Sequence, residues 1–163
     1  MPKQGILIDK GWKWHAGDNP DFEKVDFDDS KWESIDPTKD ILDIPQLWSS
    51  DIGWFRIKFT VDSSILYNAL ALAVSQIGAA EYFLNGQPIG SFGKIETKPI
   101  NITAEEPLKG SSLALPINKA GVQTLSIRFA VQKNIPYHGK IPLQIFTNNA
   151  LNLKVVNAAN LSS

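Results

Sequence analysis

Hydrophobic and polar positions alternate most clearly over Gly53–Asp62, where Phe55, Ile57, Phe59 and Val61 interleave with Trp54, Arg56, Lys58 and Thr60. A period of two is that of a strand with one buried and one wetter face. Ala69–Ser75 alternates Ala with larger residues and predicts a strand buried on both sides. Ala79–Leu84 runs into Asn85-Gly86, and Pro88–Phe92 follows. Asn-Gly between apolar strands predicts a type I′ hairpin, because both central residues must take positive φ. Ser111–Ile117 and Val122–Val131 predict a second pair, joined by Asn118-Lys119-Ala120-Gly121. In the latter strand Leu125, Ile127, Phe129 and Val131 alternate with Ser126, Arg128 and Ala130. Ile141–Thr147 and Leu151–Val156 predict one or two more strands.

Helical signals are weak. No window of a dozen residues sustains the i, i+3, i+4, i+7 apolar spacing of an amphipathic helix. Ser30-Lys31-Trp32-Glu33 has a capping-box pattern and predicts a single short turn. Ten Pro and eleven Gly punctuate the chain between eight to ten short strands. Without helical crossovers, such a chain folds as an all-β, antiparallel two-sheet sandwich of jelly-roll type. The expected organisation is one β-sandwich domain over residues 1–156, with an irregular N-terminal layer, and a loose C-terminal tail over 157–163.

Composition narrows the function classes. The 163 residues are 43% hydrophobic and 20% charged, with net charge −1. That apolar fraction builds a core and excludes intrinsic disorder. Sixteen Lys and Arg against seventeen Asp and Glu give no general positive field, so nucleic acid is not an expected partner. No stretch approaches the roughly 20 apolar residues of a membrane span. Cysteine is absent, which removes disulfides and thiolate chemistry and suits an exported bacterial domain. The charge is uneven: residues 1–50 hold six Lys and eleven acids, and residues 51–163 hold ten basic residues and six acids. Four of the five Trp also lie in the first 50 residues.

Candidate chemistry is sparse. The two histidines, His15 and His138, lie far apart and form no His-Glu-x-x-His pattern of a zinc hydrolase. The acid run Asp26-Phe27-Asp28-Asp29 invites a paired-carboxylate or calcium reading. An EF-hand counted from Asp26 fails, with Lys31 where Gly is needed and Pro37 where Glu is needed. Asp and Ser cap turns, so the run is read as loop structure that lets Trp32 plug the core. No Gly-x-Ser-x-Gly elbow or phosphate-cradling loop is present. No catalytic residue, metal or cofactor is therefore expected. Trp12 and Trp14 share one face of a strand and are read as core. Trp48 and Trp54 flank Ser49-Ser50-Asp51-Ile52-Gly53, a loop at a sandwich edge. Together with Tyr137 and His138 they are the candidate ligand-binding residues, because ligand sites of jelly rolls commonly sit at loop edges.

Three ordered stretches carry a resemblance. They are Gly17-Asp18 with Phe27-Asp28-Asp29-Ser30-Lys31-Trp32, then Gly53-Trp54-Phe55-Arg56, then Gly78-Ala79-Ala80-Glu81-Tyr82-Phe83-Leu84-Asn85-Gly86. This order resembles the N-terminal sugar-binding, jelly-roll domain of glycoside hydrolase family 2. It is more closely similar to extracytoplasmic N-terminal domains of Bacteroidetes-type membrane signalling proteins, histidine kinases among them. Those place a galactose-binding-like sandwich outside the membrane and a kinase, cyclase or phosphatase inside. The resemblance implies a non-catalytic sensor domain in the periplasm, taking a small polar ligand or carbohydrate. It also implies following transmembrane and cytoplasmic signalling domains in the parent chain. The alternative it implies is an accessory carbohydrate-binding module of a glycoside hydrolase. The matching motifs are architectural: Arg56 is expected to pair with an acid of the 26–29 run, and Asn85-Gly86 to make the hairpin.

Overall fold

The structure, a computed structural model, describes residues 11–37, 43–63, 70–74, 78–105 and 112–133. Ten strands lie among them: β1 (Lys13–Ala16), β2 (Glu33–Ser34), β3 (Gly53–Val61), β4 (Ala71–Ala73), β5 (Ala79–Leu84), β6 (Gln87–Phe92), β7 (Lys94–Thr97), β8 (Ile100–Thr103), β9 (Ser112–Ala114) and β10 (Gly121–Ala130). Six form one antiparallel sheet in the order β2-β1-β3-β10-β5-β6, while β4 pairs with β9 and β7 with β8. The protein is an all-β antiparallel sandwich.

The alternation in β3 sorts its side chains onto the two faces of the large sheet. Phe55, Ile57 and Val61 join Trp12, Trp14, Tyr82, Leu84, Leu125, Ile127 and Phe129 on the inner face. Leu70, Leu72, Leu115 and Ile117, from in and around β4 and β9, complete this core. Gly53 is required here by packing, since a Cβ would lie 2.0 Å from the Trp14 ring. The Asn85-Gly86 turn has φ of 51° and 82°, both positive as a type I′ hairpin demands.

Two expectations need correction. The 111–117 and 122–131 segments do not pair with each other. Both edges of β10 are occupied, by β3 and β5, and β9 crosses to pair with β4. In the 69–75 segment Leu70, Leu72 and Val74 are buried, whereas Ala71 between them is half-buried. The short turn expected at the capping-box segment is present: Asp28 Oδ1 accepts from Ser30 N–H, Trp32 N–H donates to Asp29 O, and Glu33 enters β2. The strands expected at 141–147 and 151–156, and the tail at 157–163, lie outside the described residues.

The outer face of β3 is buried at Trp54 and Arg56, whereas Lys58 and Thr60 farther along the same face are exposed. Residues 18–32 cross it as an irregular layer, with a 3₁₀ turn at Pro20–Glu23, and seat Phe22, Phe27 and Trp32 against Trp54. Beneath them Arg56 is 0% exposed. Its Nε donates to Asp29 Oδ2 at 2.8 Å, Nη1 is shared among Phe22 O (2.6 Å), Lys24 O (2.9 Å) and Ser126 Oγ (3.2 Å), and Nη2 reaches Phe27 O at 3.4 Å. The expected pairing of Arg56 with an acid of the run is thus realised by Asp29.

Removing the buried guanidinium leaves several carbonyls without partners and Asp29 with only the longer Lys13 contact at 3.7 Å, which costs about 3–5 kcal/mol. Arg56→Met should lower the unfolding free energy by about that amount in urea titration, and Arg56→Lys should recover little because an ammonium lacks the planar fork. A loss under about 1 kcal/mol for Arg56→Met would show that the layer is held by its aromatic residues alone.

Candidate functional site

Strand register places one row of side chains across the outer face. His15 lies opposite Trp54, Trp54 opposite Arg128, Arg128 opposite Glu81, and Glu81 opposite Ser91. The 18–32 layer covers the β1 and β3 end of this row. The β7–β8 hairpin packs against the start of β5, where Gly78 just before β5 bridges to Glu105 just after β8. Between these two walls lies an open groove over β10, β5 and β6.

The groove has two adjoining hollows. One, of about 230 Å³, is lined by Asp18, Pro20 and Glu23 of the covering layer and by Trp54, Glu81, Phe83 and Arg128 of the sheet. The other, of about 360 Å³, extends from Glu81 and Phe83 across Pro88 and Ser91 to Lys94, Ile95 and Glu96 of the hairpin. Glu81 and Phe83 belong to both, and the larger volume falls within the range of about 300–1,000 Å³ common for ligand clefts. Trp54 and Phe83 stack beneath the junction at a centroid distance of 5.6 Å.

Charge in the groove is organised around Arg128. Its Nε and Nη2 donate to the two oxygens of Asp18 at 3.0 and 2.7 Å, and Nη1 donates to Glu81 Oε2 at 2.6 Å. Trp54 Nε1 donates to Asp18 Oδ1 at 2.9 Å, tying the aromatic floor to the same carboxylate. Burial acts to raise the Asp18 carboxyl, but the hydrogen bonds from Arg128 and Trp54 and the charge of Arg128 outweigh it, holding the group below the usual carboxylate value. Burial likewise acts to lower Arg128, and Asp18 and Glu81 more than reverse it. Fixed carboxylates beside an apolar floor suit the recognition of hydroxyl and amino groups. Among the described residues no three His, Asp or Glu side chains converge as a metal site, and no helix is long and apolar enough to cross a membrane.

Of the residues expected to form the ligand rim, the described pair Trp48 and Trp54 belong to different clusters, on the inner and outer sides of the sheet. Trp54 is not an exposed edge platform: at 2% exposure it forms the floor of a hollow, because the 18–32 layer covers its face of the strand. Trp48, at the end of a 3₁₀ turn over Pro45–Trp48, packs against the core on the inner side of the sheet. Tyr137 and His138 lie outside the described residues. His15 lies in β1 with its ring 5.3 Å from those of Phe22 and Trp32. Sequence reasoning missed Asp18, Glu81, Phe83 and Arg128 as a set. The signals available were Glu81 as the lone charge in an apolar strand and Arg128 on the polar phase of β10. Their meeting depends on β10 lying between β3 and β5.

No protein-family model matches the chain, and no curated protein matches it by sequence. Its fold is similar to solved glycoside hydrolases. Against Bacteroides uniformis β-glucuronidase 2, covalently bound to cyclophellitol-6-carboxylate aziridine, the TM-score is 0.59 at 20% identity, covering 88% of this chain and 17% of that one. A glycosyl hydrolase family 2 member from Bacteroides cellulosilyticus gives a TM-score of 0.59 at 18% identity, covering 88% and 20%. Bifidobacterium dentium β-glucuronidase, complexed with coumarin-3-O-glucuronide, gives 0.56 at 15% identity, covering 80% and 21%. The chain therefore spans about a fifth of the length of these proteins. At such identities the likeness establishes the β-sandwich fold.

Because the Asp18 carboxyl titrates lower in the folded chain than in the unfolded one, it favours folding above the unfolded value, about pH 4. That contribution is lost as pH falls through the folded value. Asp18→Asn should therefore be less stable than the parent at pH 7, and the gap should narrow below about pH 4. Urea titrations at a series of pH values check this; a gap independent of pH would mean the Asp18–Arg128 contact adds nothing electrostatic.

Proposed function

We propose that this chain is a non-catalytic recognition module that binds carbohydrate in the outer-face groove on behalf of a larger protein. The observation that carries the reading is the groove itself. An aromatic pair lies under a junction flanked by Asp18, Glu81 and Arg128, on a sandwich of the kind found in family 2 glycoside hydrolases. Sugar hydroxyls are matched by charged acceptors and donors held in fixed geometry. The apolar side of a sugar ring meets the rim of Phe83, which lines both hollows beside Trp54.

Two settings suit such a module. The ordered motifs Asp28-Asp29-Ser30-Lys31-Trp32, Trp54-Phe55-Arg56 and Asn85-Gly86 favour the periplasmic sensor domain of a membrane-anchored signalling protein. The fold likeness to glycoside hydrolases favours an accessory module of such an enzyme. The parent reading frame separates them. A run of about 20 apolar residues followed by a kinase-, cyclase- or phosphatase-like region supports the sensor, and a long alternation of strands and helices supports the hydrolase.

Carbohydrate binding is tested by thermal shift and tryptophan fluorescence against a panel of mono- and oligosaccharides. A ligand at 100 times its Kd should stabilise the fold by about 2.7 kcal/mol. Glu81→Ala removes a charged acceptor and should weaken the binding at least about tenfold, whereas Trp48→Phe, on the other side of the sheet, should leave it unchanged. No response across the panel would overturn the proposal.

A further inference from the structure

We infer that the groove selects neutral or amino-bearing sugars and turns away sugars carrying a carboxylate, sulfate or phosphate; this rests on the carbohydrate reading above. The side chains lining the two hollows include four acids, Asp18, Glu23, Glu81 and Glu96, and two basic residues, Arg128 and Lys94. Arg128 is the basic group at the floor, and two carboxylates already hold it, Asp18 through a bidentate contact and Glu81 through the third nitrogen. A ligand anion arriving there must displace or approach both. Lys94 stands exposed on the hairpin with Glu96 two residues along the same strand face, so its charge is offset locally. A site built for an anion presents the opposite arrangement, an Arg fork directed at the ligand without acids beside it.

The size of the discrimination follows from Coulomb's law. Two uncompensated negative charges at about 7 Å in a wet groove weaken an anionic ligand by about tenfold, and favour an ammonium by a similar factor. Salt reduces both, because the groove is open to solvent.

The test compares matched methyl glycosides of the gluco and galacto series, each as neutral sugar, uronate and 2-amino sugar. Isothermal titration of the 163-residue protein at pH 7 is run at low and at high salt. The uronate should bind at least about tenfold more weakly than its neutral partner, the amino sugar as tightly or more tightly, and both differences should shrink in high salt. Glu23→Gln removes an acid from the wall without touching the Arg128 clamp, so it should narrow the gap between neutral sugar and uronate while the fold is kept. A uronate that binds as tightly as the neutral sugar overturns this inference and leaves the carbohydrate reading standing. Failure of every sugar in all three charge states overturns the carbohydrate reading and this inference with it.

Discussion

The buried guanidinium of Arg56 is the interaction on which the rest of the outer face depends. Residues 18–32 have almost no regular structure, and a loop laid across a sheet must satisfy its own backbone carbonyls. Three of those carbonyls, from Phe22, Lys24 and Phe27, converge on one side chain of β3. Asp29 supplies the opposing charge, and Ser126 joins from β10. Burying an ion pair is costly, and it is tolerated only where further hydrogen bonds complete the seat. Arginine meets that demand because its planar fork spreads several donors over fixed directions. Phe27 and Trp32 flank the guanidinium at 5.6 and 6.0 Å, so the charge is held between aromatic faces as well.

The second arginine of this face sits on the neighbouring strand β10, two residues along from Ser126, the register partner of Arg56, under different conditions. Arg56 is enclosed and serves architecture, whereas Arg128 lies at the margin of the covering layer and opens onto the groove. The two are coupled through the layer. Arg56 holds Phe22, Lys24, Phe27 and Asp29, and the layer they belong to presents Asp18, Pro20 and Glu23 as one wall of the groove. The electrostatic character of the groove is thus a downstream product of a contact buried beneath the covering layer.

Local pattern carried the strands, and long-range pairing carried the site. The alternation at 53–62 and 122–131, the positive-φ Asn85-Gly86 turn and the core placement of Trp12, Trp14 and Trp32 were all legible, because each depends on residues near in sequence. The pairing of Arg56 with the acid run was legible too, since an arginine on a strand next to a dense acidic loop has few other partners. The β9–β10 hairpin was misread because a short connection suggests pairing, while β10 was already flanked by β3 and β5. Trp54 was misread for a related reason. Alternation marked its side of β3 as wetter, but the covering layer turns that side into a second apolar cluster. The Asp18–Arg128–Glu81 set joins residues up to 110 positions apart, and nothing local announces it.

A sheet in an antiparallel sandwich ordinarily has one face on the core and one in water. Here the large sheet departs from that scheme over part of its outer surface. The part of β3 around Trp54 and Arg56 is covered by an aromatic cluster, and the β10–β5–β6 half is left open with charges along its boundary. That boundary is the most informative part of the molecule. The sandwich itself is common to proteins that differ in four-fifths of their sequence, so it cannot specify a ligand. The row Trp54–Arg128–Glu81–Ser91 can, because it sets an aromatic floor, a clamped cation and surplus acid at fixed spacing. A closed ion pair on the floor of a groove cannot also serve as an anion seat, since both of its acids would have to be moved first. What the arrangement leaves available is acceptor capacity along the walls, and hydroxyl and ammonium groups are the chemistry that uses it.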